Sequence, residues 1–525
     1  MKTASVPLAS SGLFFVLSLS AFSLLLSRAS AQNVQHLTIT QPGGMPGAPI
    51  VMGAQLGTNG VTVSWDGPSG YYQLFQKGIN ETKWQPVGGP TNLVRRATVP
   101  ATKSNAVFKV KGPAPQYGGF QNCVECHQDT FDEVHQTLHP QAFATLVKTN
   151  QSTNPQCLPC HTVGYGLPTG FGSSATANSL LQGVQCENCH GTVGNHAANP
   201  DDPTVRPRIE LASTVCGGCH TLTYNQWHTS GHAHLVQDFN STNQIDSCGR
   251  CHSGSVRETL FEGQPLPVGD ANVTVVCATC HDAHQNTGNP AQLLSPTFST
   301  NNYFITTSGS YLSQYNPDIN ICAQCHNHRG AAWTSTSRSP HHSPQYNILL
   351  GTIGEFDSGS ATYAPSSHAL RLSNQCVDCH MQKGAAQDQY HQATHNHNFT
   401  VDTYTVCQRC HSDPAGLVNL TTNTIAMLIQ DLKKSLDTWA TNKAPPSLTA
   451  KYGTRAWEYS TPGDLSPGGP GPTSSEQALI PTNIQKARFN LYLVLYDGSF
   501  GVHNVFFSQN LLFAAQAWVD QELQE

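Results

Sequence analysis

One five-residue frame, Cys-x-x-Cys-His, repeats nine times through the middle of this sequence and uses every cysteine in it. The frames begin at Cys123, Cys157, Cys186, Cys216, Cys248, Cys277, Cys322, Cys376 and Cys407, so eighteen cysteines leave none over. The frame is the attachment site of a c-type haem. Its second thiols are Cys126, Cys160, Cys189, Cys219, Cys251, Cys280, Cys325, Cys379 and Cys410. Two thiols form thioethers with the two vinyl groups of one porphyrin. The next residue, His127, His161, His190, His220, His252, His281, His326, His380 or His411, ligates iron from the proximal side. Disulfides do not require a histidine after every second cysteine. Structural zinc takes two Cys-x-x-Cys pairs, or one pair with a distant histidine pair. A thioredoxin-like motif occurs once. The expected cofactors are nine covalently bound c-type haems with their iron.

The spacing of the frames limits the fold. Residues 123–411 supply about 32 residues per haem, too few to bury each macrocycle in a globule of its own. The haems must pack on one another and act as the core. A hydrophobic fraction of 38%, with 44 Gly and 33 Pro, fits macrocycles in place of aliphatic side chains. The expected fold is a mainly α and irregular multihaem domain built around a haem stack.

Sixteen of the 25 histidines lie outside the frames. Apart from His36 they fall almost wholly within or after the haem region and outnumber the nine distal ligands needed; they form nine groups if His328 is counted and eight if it is not. Methionine, the other common distal ligand, is scarce: outside the first segment there are Met45, Met52, Met381 and Met427. Mostly bis-histidine, low-spin, low-potential haems are expected. The expected distal ligands are His139, His196, His232, His284, His342, His368, His397 and His503.

Several of these histidines sit in short motifs. Trp227-His228-Thr229-Ser230-Gly231-His232-Ala233 follows the Cys216 frame. It resembles the Trp-x-x-Ser-x-His-Ala element of the superfamily of tetrahaem cytochrome c554, hydroxylamine oxidoreductase and pentahaem nitrite reductase. His139, with Val134 and Thr137 in the Trp and Ser places, is similar. Cys186 through Gly191, with Gly194 and His196, resembles the Cys-x-x-Cys-His-Gly element of that group, and Cys277 through His284 its Cys-x-x-Cys-His-x-x-His form. His397-Asn398-Phe399 is similar to its His-x-Phe. Gly501-Val502-His503-Asn504 resembles a ligand-bearing Gly-x-His-Asn-Pro turn, with Val505 in the Pro place. The nitrite reductases often carry Lys at the catalytic haem, whereas all nine frames here end in His. No catalytic residue is carried over.

The two ends read differently. Lys2, the apolar run 12–26 and Ala29-Ser30-Ala31 form an expected signal peptide over 1–31. Its removal takes Lys2 and Arg28 and no acid, moving the net charge from −6 to −8. Residues 32–112 lack cysteine. Val61, Val63 and Trp65 alternate with polar residues, as do Ala106, Phe108 and Val110, and 66–70 reads as a turn. A small β-sandwich is expected, and Val61 through Trp84 resembles a fibronectin type III or immunoglobulin-like domain. The haem domain is placed at 113–415. Over 416–525, apolar spacing predicts a helix at 424–440, and richness in Leu, Phe and Ala two more at 482–496 and 504–521, with a Pro/Gly-rich loop at 441–478 and the whole segment packing on the haems.

The functional expectation is an exported, periplasmic or extracellular nonahaem cytochrome carrying electrons. Its partners would be redox proteins, other cytochromes or a membrane electron donor. No Lys/Arg run points to nucleic acid, and no span remains in the mature chain. Two alternatives stay open: a multihaem oxidoreductase acting on a small nitrogen or sulfur compound at one open haem, and a polymerising extracellular cytochrome assembled as an oligomer or filament.

Overall fold

The computed structural model describes residues 116–524 except 208, 210, 239–244, 267–272, 358–363 and 386–392. Before them it describes 36–37, 51–57, 60–66, 72–78, 80–91, 96–100 and 106–111. The expected signal peptide, the centre of the 66–70 turn, Met45 and His391 lie outside the described residues. The chain forms two compact units, Met1–Tyr224 with Ala283–Asn286 and Asn225–Asp282 with Thr287–Glu525.

The first unit begins with seven strands: β1 (His36–Leu37), β2 (Val51–Gly57), β3 (Gly60–Asp66), β4 (Tyr72–Gly78), β5 (Gln85–Thr91), β6 (Arg96–Val99) and β7 (Ala106–Lys111). They form two antiparallel sheets, in the orders β1-β2-β3-β6 and β5-β4-β7. Side chains alternate between faces along a strand. Val63, Trp65 and Val99 of one sheet are thereby buried with Tyr72 and Leu74 of the other.

The haem region is built of short helical turns joined by irregular chain. Every frame lies on such a turn, as at Cys186–His190, Ile245–His252 and Cys376–His380. The backbone N–H of His127, His220, His326 and His411 donates to the carbonyl of the first cysteine of its frame at 2.8–2.9 Å. One turn places positions i, i+3 and i+4 on one face. Both thiols and the imidazole of a frame therefore address the same side.

The second unit ends in a helical cap. Helices span Pro414–Asn442, Thr482–Asp497 and Val505–Gln524, longer at their ends than their apolar stripes alone predict. Asp413 caps the first by accepting from the Gly416 N–H at 3.0 Å, and Pro414 opens it. Its stripe of Ile425, Ile429, Leu432, Leu436 and Trp439 is buried against Leu491, Leu511, Trp518 and their neighbours. The expected 441–478 loop contains a further helix, Pro446–Tyr452. Proline at its first position starts this helix rather than breaking it, because that N–H has no helical partner to lose. Leu448, Trp457 and Tyr459 from this stretch are buried in the same core.

Candidate haem sites

The imidazoles of seven frames stand opposite other imidazoles at a narrow range of spacing. Centroid distances are 6.3 Å for His220 and His139, 6.0 Å for His190 and His284, and 6.2 Å for His326 and His232. They are 6.1 Å for His252 and His341, 6.3 Å for His281 and His397, 6.2 Å for His411 and His368, and 6.2 Å for His380 and His503. A histidine-to-metal bond is about 2 Å long. Two imidazoles sharing one ion through ring nitrogens therefore have centroids about 6 Å apart, so the seven pairs fit an iron between their rings. His196 lies near enough to His127 to interact with it electrostatically. Among the described residues, no second imidazole stands opposite His161.

Several of the ring nitrogens not facing the gap are held. Nδ1 of His161 donates to the Ala142 carbonyl at 2.7 Å, His281 to Ala291 at 2.7 Å and His380 to Phe399 at 3.1 Å. His397 donates to the His395 carbonyl at 2.8 Å and His368 to that of Val502 at 3.2 Å. Such bonds fix the tautomer and leave Nε2 for a metal. Burial, and then the facing His326, pulls His232 down to about 4; burial, and then neighbouring cations, pulls His341 down to about 3. Burial also lowers His139, His326 and His380. The neutral imidazole so favoured is the form that binds metal. His503 moves the other way: burial disfavours its charge, but the Asp497 carboxylate outweighs that and raises it.

In each measured pair the two histidines are far apart in sequence. His232 follows the Cys216 frame, yet faces His326; His284 follows the Cys277 frame, yet faces His190. The residues around His232 explain its motif. The Trp227 indole donates to the Val275 carbonyl at 2.8 Å, and the Ser230 hydroxyl to the Trp227 carbonyl at 2.6 Å. Thr274 donates to the His232 carbonyl at 2.6 Å, and Phe399 packs edge-on to the ring at 4.4 Å.

One expected position is corrected. His341, not His342, faces His252. The His342 ring stacks on Tyr496 at 3.8 Å, with Nε2 3.7 Å from Asp464, so its face is already occupied. His328 packs on Phe304 at 4.3 Å, and His135 on Phe131 at 3.9 Å.

Frames also meet through their thiols. Cys123 lies beside Cys186, and Cys160 beside Cys219. In the second unit Cys251 lies beside Cys325 and Cys322 beside Cys376. Cys280 interacts electrostatically with Cys322 and Cys325, and Cys407 with Cys379. The Cys322 frame thus borders three others.

The family model described as cytochrome c554 and c-prime matches residues 122–191 and 321–412. The chain is 22% identical over 266 residues to the C-type polyheme cytochrome OmcC of Geobacter sulfurreducens, covering 47% of this chain and 30% of that one. It is 24% identical over 153 residues to the multiheme cytochrome MtrA of Shewanella baltica, covering 24% of this chain and 45% of MtrA. The matches thus span less than half of either relative. Among solved structures, the outer cell wall cytochrome OcwA has a TM-score of 0.51 at 18% identity, covering 77% of this chain and 99% of OcwA. An undecaheme cytochrome from the S-layer of Carboxydothermus ferrireducens has a TM-score of 0.50 at 19% identity, covering 78% of this chain and 70% of that one. With its nine Cys-x-x-Cys-His frames and these similarities in sequence and fold, the chain is a multihaem c-type cytochrome.

Proposed function

We propose that this chain is an exported nonahaem cytochrome that passes electrons between redox proteins. The observation that carries the reading is the set of seven imidazole pairs spaced at 6.0–6.3 Å. Covalently bound haems supply one-electron redox chemistry. The chain does the rest. Each frame would anchor a porphyrin by two thiols, and in the seven pairs an imidazole from a distant segment would hold the iron's other side, leaving no axial position there for a substrate. Approach between thiols of different frames brings attachment points of each unit together. The C-terminal helices shield the Cys376 and Cys407 frames through His503 and the Val502 carbonyl.

Export is supported by the leader-like residues 1–31 and by two fold relatives described as cell-wall and S-layer cytochromes. Among the described residues no helix is long and apolar enough to cross a membrane. The partners proposed are other cytochromes or a membrane electron donor. An acidic chain of net charge −6, with ionised propionates added, favours basic partner surfaces and loses affinity with salt. The β-sandwich serves as a spacer or docking module.

Intact-protein mass with haem staining tests the reading. Nine covalent haems are expected; a mass accounted for by zinc or disulfides alone would end it. The oxidoreductase alternative is tested at the Cys157 frame, where the described residues bring no second imidazole to His161. A high-spin ferric signal in about one iron of nine in the oxidised protein, with carbon monoxide binding to about one iron of nine after reduction, would favour it.

A further inference from the structure

Asp497 stands out among the acceptors that hold the paired imidazoles. Nδ1 of His503 donates to its Oδ1 at 2.6 Å. The carboxylate is almost wholly buried, with 1% of its side chain exposed against 22% for His503. It is also fixed: the Ser499 hydroxyl donates to its Oδ2, and the same hydroxyl oxygen accepts the His503 N–H at 3.1 Å. The corresponding acceptors for His161, His281, His368, His380 and His397 are neutral backbone carbonyls, and that for His326 is the Gln345 amide oxygen at 3.3 Å. Among these acceptors, Asp497 alone carries a charge.

An anionic acceptor draws the Nδ1 proton towards itself and makes Nε2 a stronger donor to metal. A stronger, more negative ligand stabilises ferric over ferrous iron, so the potential falls. We propose that Asp497 is a positioning residue that tunes the Cys376 site, giving His503 imidazolate character and lowering that site's potential below what a carbonyl acceptor would set. This rests on the reading that His380 and His503 share one iron. The Cys376 frame lies beside the Cys322 frame and within electrostatic reach of the Cys407 frame. Asp497 makes the Cys376 site harder to reduce.

The test uses the full-length holoprotein. Near-infrared magnetic circular dichroism of the oxidised wild type should contain one low-spin band at higher energy than the main bis-histidine envelope. In Asp497→Asn, which keeps an oxygen acceptor, that band should join the envelope. Redox titration should show one of nine potentials moved upward, with nine low-spin haems retained. Asp497→Glu should restore the wild-type band and curve. The proposal is overturned if the wild type lacks the band, a measurement that needs no variant. It is equally overturned if the Asn titration superimposes on wild type, or if Asn turns one haem high-spin, since Asp497 would then only hold the ligand in place. His503→Ala separates the two ideas. One haem turning high-spin, beside an unmoved Asn titration, would sink the tuning alone; nine low-spin haems in His503→Ala would sink the underlying ligand assignment.

Discussion

His341 and His342 are neighbours in a non-helical segment, so their side chains leave the backbone in different directions. One meets His252 across 6.1 Å; the other lies flat on Tyr496 at 3.8 Å. Replacing His341 with Ala should therefore turn one haem high-spin while nine remain attached. His342→Ala should leave every haem low-spin, with a stability loss of at most about 1 kcal/mol for a mostly exposed side chain. Electron paramagnetic resonance of the two oxidised variants checks both outcomes, and a high-spin haem in His342→Ala would reverse the assignment. The frames themselves are legible in the sequence because their chemistry is local: two thiols and an imidazole within one turn. The choice between adjacent histidines is not. It is made by Tyr496, which lies 154 residues beyond His342 and whose proximity no periodicity announces. Likewise, the motif around His232 marks it as a special histidine but gives no sign that its partner is His326.

At the scale of elements, helices with one apolar stripe could be read from the sequence, and those without one could not. The positions 425, 429, 432 and 436 mark the Pro414–Asn442 helix because 3.6-residue periodicity survives wherever one face is buried. The Pro446–Tyr452 helix is seven residues long, too short for a period, and sits in proline-rich surroundings that argue for a loop. Leu432 is 1% exposed in the core shared by the last helices. Leu432→Ala should cost about 2–5 kcal/mol, the usual range for a buried leucine. The urea midpoint followed by far-ultraviolet circular dichroism would fall, while haem content stays at nine. An unchanged midpoint would mean that the cap is not packed as described.

For the molecule as a whole, the N-terminal sandwich carries its own small core of Val63, Trp65, Tyr72, Leu74 and Val99, with no frame in it. Deleting residues 32–112 should therefore leave the visible spectrum and the nine potentials in place. Loss of a haem, or a new high-spin signal, would show that this segment supports the haem region directly. The alternating strands made the sandwich legible; the interleaving of the frames in space was not, since thiol contacts such as Cys123 with Cys186 and Cys251 with Cys325 skip an intervening frame. That interleaving matters for a chain made from one end to the other. While the Cys248 and Cys277 frames emerge, the Cys322 frame that both border is still unmade. The Cys376 frame waits longer, because His503 lies 123 residues beyond His380. On the proposed pairing, the Cys376 site gains its second imidazole only when the last helices have been made. Premature termination after His411 would then yield a chain with all nine attachment frames but no partner for His380, so that counting attachment sites alone would not tell it from the finished protein.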